Sequence, residues 1–140
     1  MNRKDRNMQL KLSTDYAIRI VLYLAVKRKK VLLEELSQNL MIDKSYVFKF
    51  CKKLYYCGIV GMDDDVHDEI YLMKHPSEIT MFDIINVMES TTKINLCLEE
   101  DEYCSQFATK YCPVRKYYFE LQNNIESYLK SKTIYDLLNS

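Results

Sequence analysis

The chain has 140 residues, 48% of them hydrophobic, enough for one domain with a real core, or for one domain with an appended element. Only two glycines and two prolines argue for a largely helical fold and against loop-rich or sandwich architecture. The 20 basic and 20 acidic residues cancel, yet 1–60 holds 13 Lys and Arg against 5 Asp and Glu, while 61–140 holds 7 against 15; a basic first half suggests a polyanion partner. No apolar run approaches the roughly 18 residues of a membrane span, and the charged opening 1–7 carries no small-residue cleavage site. A cytoplasmic protein is expected, with its five cysteines used as ligands or reduced core residues.

Ile18, Val21, Leu22 and Ala25 recur with helical spacing and predict an amphipathic helix over 13–29, with Ser13 and Thr14 as N-caps. A short helix follows over 33–40, then a tight connection, then a helix over 44–56 that Asp43 can cap and Gly58 can terminate. Two short helices joined this closely match a helix-turn-helix. The second bears Lys44, Ser45, Tyr46, Lys49, Lys52 and Lys53, groups able to bond or neutralise phosphates; otherwise they form a solvated lysine face. Beta-like runs at 59–62 and 69–73 flank a polar tip, the layout of a wing after a recognition helix. Thr80 and Asp83 have the spacing of a capping box before a helix reaching Glu89, with Met81, Ile84, Ile85 and Met88 inward.

The stretch 90–111 has no period and reads as a loop, with at most a short helix. Pro113 suits the first turn of a long helix over 113–132. Its stripe of Val114, Tyr117, Tyr118, Leu121, Ile125, Tyr128 and Leu129 is more than the small preceding domain can cover, so a helix–helix homodimer is expected. Residues 133–138 read as one or two capped turns docking back. Most of the twelve tyrosines sit at helical spacing and read as core or interface residues. Cys51 shares the apolar side of its helix with Val47, Phe50 and Leu54 and reads as a buried thiol, whereas Cys57 is more exposed.

Cys97, Cys104 and Cys112 fall within sixteen residues and supply the concentrated soft-ligand chemistry of the chain. Thiolates favour iron–sulfur clusters, zinc or copper(I), and three of them leave a tetrahedral site one ligand short. No Gly-rich phosphate loop, close Cys-His pairing or distinct catalytic carboxylate pair is present, so an enzyme is not expected.

The order of these parts resembles the Rrf2 family of bacterial winged-helix regulators. The resemblance is carried by "MQLKLSTDYAIRIVLYLA" (8–25), "VLLEELSQNLMIDKSYVFKFCKKLYYCGIV" (31–60), "PSEITMFDIINVME" (76–89) and "CPVRKYYFELQNNIESYLKSKTIYDLL" (112–138). It implies a mainly helical fold: a winged helix-turn-helix domain over 8–75 with a β-hairpin wing, then a sensor loop and dimerisation helix over 76–140. It further implies a homodimeric DNA-binding transcriptional regulator, a repressor, that binds a double-stranded operator. Many members hold an iron–sulfur cluster on three cysteines per protomer, which carry over to Cys97, Cys104 and Cys112; a two-iron or a four-iron cluster is equally open. The histidine that completes the set in one branch is replaced by Arg115, which cannot ligate. In the nitric-oxide-sensitive branch (NsrR), to which the resemblance is closest, an aspartate of the partner subunit's first helix completes it, and Asp15 holds that position.

The chain departs from the family in two places. The cysteines are spaced more widely than usual, with six and seven residues between them. The wing replaces a Gly-Gly-Tyr segment by "GMDDDVHDEIYLM", keeping Tyr71 but placing Asp68 and Glu69 where glycines stand and adding Asp63, Asp64 and Asp65. These carboxylates would be repelled by phosphates, so the wing is expected to point away from DNA and leave recognition to the third helix and the basic arm Arg3, Lys4 and Arg6. Two other readings stay open: an interaction protein of this fold with weakened DNA binding, and a cluster-free thiol or metal switch on the same cysteines.

Overall fold

Helix α1 spans Leu12–Lys27 and buries Thr14, Ala17, Ile20, Val21, Leu24 and Ala25. The expected line of 18, 21, 22 and 25 is therefore rotated: Val21 and Ala25 are buried, while Ile18 and Leu22 are only partly so. Ala17 and Thr14, small residues with little weight in a hydrophobic pattern, set the inward face. The helix starts after Lys11, and no local side chain caps it, which corrects the expected role of Ser13 and Thr14. The cap comes from 78 residues away, where the Glu89 carboxylate accepts the Lys11 N–H at 2.9 Å and, 75 residues away, the Thr14 hydroxyl. The helix ends two residues early because Arg28 turns left-handed (φ 54°) and donates its N–H to the Leu24 carbonyl.

The computed structural model describes residues 8–63, 68–100 and 112–140. Expectations for Arg3, Lys4, Arg6, Asp64, Asp65 and Cys104 lie outside those residues.

Helices α2 (Leu33–Leu40) and α3 (Lys44–Tyr56) form the expected helix-turn-helix. Met41 takes the left-handed conformation between them, and Ile42 is locked by its N–H to the Ser37 carbonyl and by the Ser37 hydroxyl to its own carbonyl. Asp43 stands at the N-cap of α3 but bonds through its backbone carbonyl, not its side chain. Gly58 (φ 77°) donates to the Tyr55 carbonyl and Ile59 to the Leu54 carbonyl, a Schellman ending sealed by buried Leu54 and Ile59.

The wing strands are β2 (Val60–Asp63) and β3 (Glu69–Leu72), paired antiparallel with Gly61 opposite Tyr71. Strand β1 (Val31–Leu32) joins β3 on its other side, giving the order β1-β3-β2. Two residues are too few to show a strand period in sequence, so this third strand was not expected. A Cβ on Gly61 would lie 2.4 Å from the Tyr71 ring, so the glycine makes room for the aromatic side chain across the ladder.

Helices α4 (Met81–Met88) and α6 (Ile134–Leu138) both open with a capping box, Thr80 with Asp83 and Thr133 with Asp136. The two openings meet in an antiparallel bridge, with Met81 N–H to the Lys132 carbonyl at 2.8 Å and Ile134 N–H to the Ile79 carbonyl at 2.9 Å. This docks the C-terminal turn onto one core shared by α1, α2, α3, the sheet, α4 and α6. Helix α5 (Pro113–Ser131) is different, since Gln122 is its only buried residue. Val114, Tyr117 and Tyr128 are each more than half exposed, and Leu121, Ile125 and Leu129 are half-buried. No described tyrosine is fully buried, but Tyr16 and Tyr23 pack against the core, each keeping a hydroxyl that must be wetted or bonded.

Candidate DNA-binding face and cysteine site

Helix α3 divides cleanly. Val47, Phe50, Cys51 and Leu54 are buried, and burial pushes the Cys51 thiol up to about 12. Lys44, Ser45, Tyr46, Lys49, Lys52 and Lys53 are all exposed on the other side, as expected for a face that meets a partner. Four lysines and no carboxylate occupy this helix, and its N-terminus adds the positive end of a dipole. Tyr46 is stacked at 6.2 Å on Phe50, and Lys52 lies 5.4 Å over the Phe48 ring; both side chains are steadied without being covered.

At the wing, Asp63 is less of an obstacle than its charge suggests. It pairs with Lys30, whose ammonium is held further toward its charged form by that hydrogen bond and sits 5.1 Å over the Tyr71 ring. The carboxylate at the tip end of β2 is thus offset locally, while Asp68 stays exposed and Glu69 half-buried.

The cysteine segment leaves α4 at Glu89 and lies along α5. Gln122, 2% exposed, accepts the Ile94 N–H at 2.8 Å and donates to the Thr92 carbonyl at 2.9 Å. Cys97 is buried in a single 3-10 turn, Leu96–Leu98, where Asn95 Nδ2 donates to its sulfur at 3.1 Å. Cys112 is the N-cap of α5, and its sulfur accepts the Arg115 N–H at 3.4 Å. Arg115, read from sequence only as a residue unable to ligate, donates its Nε to the Cys97 carbonyl at 3.1 Å. One turn of α5 therefore carries Cys112 and grips Cys97.

Asp15 stands apart from that pair. Its carboxylate holds Arg19 one turn on, at 2.8 Å, and this bond raises the Arg19 pKa further. Among the described residues no three Cys, His, Asp or Glu side chains come together as a metal-holding group. His75 is engaged elsewhere, with its Nδ1 accepting the Ser77 N–H.

A family model described as "Iron-dependent Transcriptional regulator", Rrf2, matches residues 10–140. The chain belongs to the Rrf2 family. This Rrf2 regulator is 31% identical over 125 residues to a protein of Aquifex aeolicus described as an HTH-type transcriptional regulator, covering 89% of the chain and 87% of the relative. Its fold is similar to those of two solved structures. One is CymR of B. subtilis, called the global cysteine regulator, with TM-score 0.71, 22% identity and coverage of 92% and 95%. The other is IscR of T. potens, with TM-score 0.71, 19% identity and coverage of 94% and 86%. The winged helix-turn-helix reading of this Rrf2 chain is thereby shown, as is its class as a transcriptional regulator.

Two residues that organise the Rrf2 site were not singled out from sequence. Glu89 caps a helix start 78 residues away, which leaves no local signal. Gln122 did leave one: it is a polar residue four after Tyr118 and three before Ile125, within a helical run of apolar residues.

Proposed function

We propose that this chain is a homodimeric, cytoplasmic repressor in which residues 8–75 bind operator DNA and residues 76–140 hold an iron–sulfur sensor. The observation that carries the sensor reading is the Arg115 Nε bond to the Cys97 carbonyl from the same helical turn that Cys112 caps. It brings the two outer cysteines of the triad to one end of α5. Both sulfurs accept N–H donors, the kind of bond that tunes metal-bound sulfur, so this donor pair fits a thiolate-held group. The family includes iron–sulfur regulators such as IscR, which supports the same reading.

Cys97, Cys104 and Cys112 would hold the cluster, and Asp15 of a second copy would complete the set, as in the nitric-oxide-sensitive branch. The group supplies an iron centre able to react with nitric oxide or change oxidation state. The chain's own part is positional. Asp15 accepts from Arg19 through Oδ2 alone, and it sits next to Thr14, which Glu89 ties to the start of the cysteine segment. A change at the cysteines therefore has a short path to α1, whose core contacts support α3. The DNA-binding residues are Lys44, Ser45, Tyr46, Lys49, Lys52 and Lys53, with Asp63 offset by Lys30.

Anaerobic purification tests this directly. The expected protein has visible absorption, bound iron, and an operator fragment obtained by selection. Replacing Lys49 and Lys52 by Ala should weaken binding and lower the slope of log affinity against log salt by about one per lysine. Asp15→Ala should alter the response of the absorption to nitric oxide. Iron-free anaerobic protein would sink the sensor reading, and an unchanged salt slope would sink the assignment of the α3 face.

A further inference from the structure

The cysteine segment has few features of its own to hold it in place. Between Glu89 and Cys97 it contains one 3-10 turn and no longer element, and an irregular strand of backbone must find partners for its N–H and carbonyl groups or leave them to water. Gln122 provides them. Gln122 is the one buried residue of α5, and both polar atoms of its carboxamide are bonded, the oxygen accepting from Ile94 and the nitrogen donating to Thr92. A carboxamide bonded in this way acts like a rung of a β-ladder offered by a helix.

The spacing along α5 extends the argument. Arg115 and Gln122 are seven residues apart, about two helical turns, and so share a face. Glu126, four residues after Gln122, pairs with Lys93 at 3.8 Å. Three side chains on one face thus grip the segment at 92–94 and again at Cys97. Of the three, Gln122 alone is buried, and it bonds the backbone at two points.

We propose that Gln122 is a positioning residue for the cysteine site: it fixes the height of the 92–97 segment on α5 and hence the placement of Cys97 against Cys112. The functional meaning of this rests on the reading of Cys97 and Cys112 as ligands; the geometric claim does not. Gln122→Met keeps the length and an apolar fit to the helix face but removes both bonds. Gln122→Glu keeps the acceptor for the Ile94 N–H and sets a carboxylate against the Thr92 carbonyl.

The test is alkylation of metal-free, reduced protein by iodoacetamide, with the rate at each cysteine read by mass spectrometry. Cys97 is 7% exposed and Cys51 0%, while Cys57 is exposed, so the chain carries its own references. In Gln122→Met the Cys97 rate should rise roughly tenfold toward that of Cys57, the order expected when a segment loses two buried bonds and opens locally. Cys51 should stay protected, and Gln122→Glu should fall between. Anaerobically reconstituted Gln122→Met should also show a shifted visible spectrum. A Cys97 rate within about twofold of wild type overturns the proposal, as does equal opening of Cys51 and Cys97 in both variants, which would make Gln122 a general stability residue. If wild type binds no iron but Cys97 still opens in Gln122→Met, the sensor reading fails and the positioning role stands. If wild type binds iron and both variants match it in rate and spectrum, the positioning role fails alone.

Discussion

Glu89 shows how much one carboxylate can organise. A helix start leaves orphan N–H groups, and α1 has no side chain of its own aimed at them. Glu89 takes the Lys11 N–H and also the hydroxyl of Thr14, which is wholly buried. Glu89→Ala should therefore cost about 1–3 kcal/mol, since a buried hydroxyl loses its acceptor as well as the helix its cap. Urea denaturation checks this, and Thr14→Val provides the partner for a double-mutant cycle. The pair of changes together should cost clearly less than the sum of the two alone. Strict additivity would mean that the two groups do not interact. Because Glu89 is also the last residue before the cysteine segment, the same measurement reports how firmly that segment is anchored to α1.

At the level of elements, local chemistry decided which ones could be read in advance. The capping boxes at Thr80 and Thr133 and the bounds of α2 and α3 follow from residues within a turn of each boundary, so they stand in sequence as in structure. Gly58 belongs with them. Its φ of 77° lies in the left-handed region, and nothing lies within 4 Å of a Cβ built there. Gly58→Ala should thus destabilise by about 1 kcal/mol through backbone conformation alone, and Gly58→Asn by less, as thermal melts would show. Equal losses for Ala and Asn would point to something other than the backbone angle. What escaped the sequence reading was non-local: a two-residue β1 that exists only because β3 pairs with it, and an α1 cap donated from the end of α4. The candidate cysteine site was legible only as a set of residue types. Its scaffold was not, because Arg115 and Gln122 act on backbone atoms 18 and 28 residues away.

The whole molecule has two unlike surfaces. Its core gathers α1 to α4, the sheet and α6, and leaves α5 with one face on the cysteine segment and another toward solvent. Val114, Tyr117 and Tyr128 on that second side expose 53%, 60% and 56% of their surface, an apolar line that the proposed homodimer would cover with a second copy of the same helix. A helix-turn-helix reading two half-sites needs that second copy to set the distance between recognition helices. Tyr117→Glu combined with Tyr128→Glu should therefore yield a monomer by sedimentation equilibrium, with an unchanged far-ultraviolet spectrum because neither ring belongs to the core. Operator affinity should fall on the order of a hundredfold or more, as the second half-site ceases to be held at high effective concentration. A variant that stays dimeric would place the interface elsewhere. One that becomes monomeric yet binds as tightly would show that a single α3 face, with its four lysines, suffices.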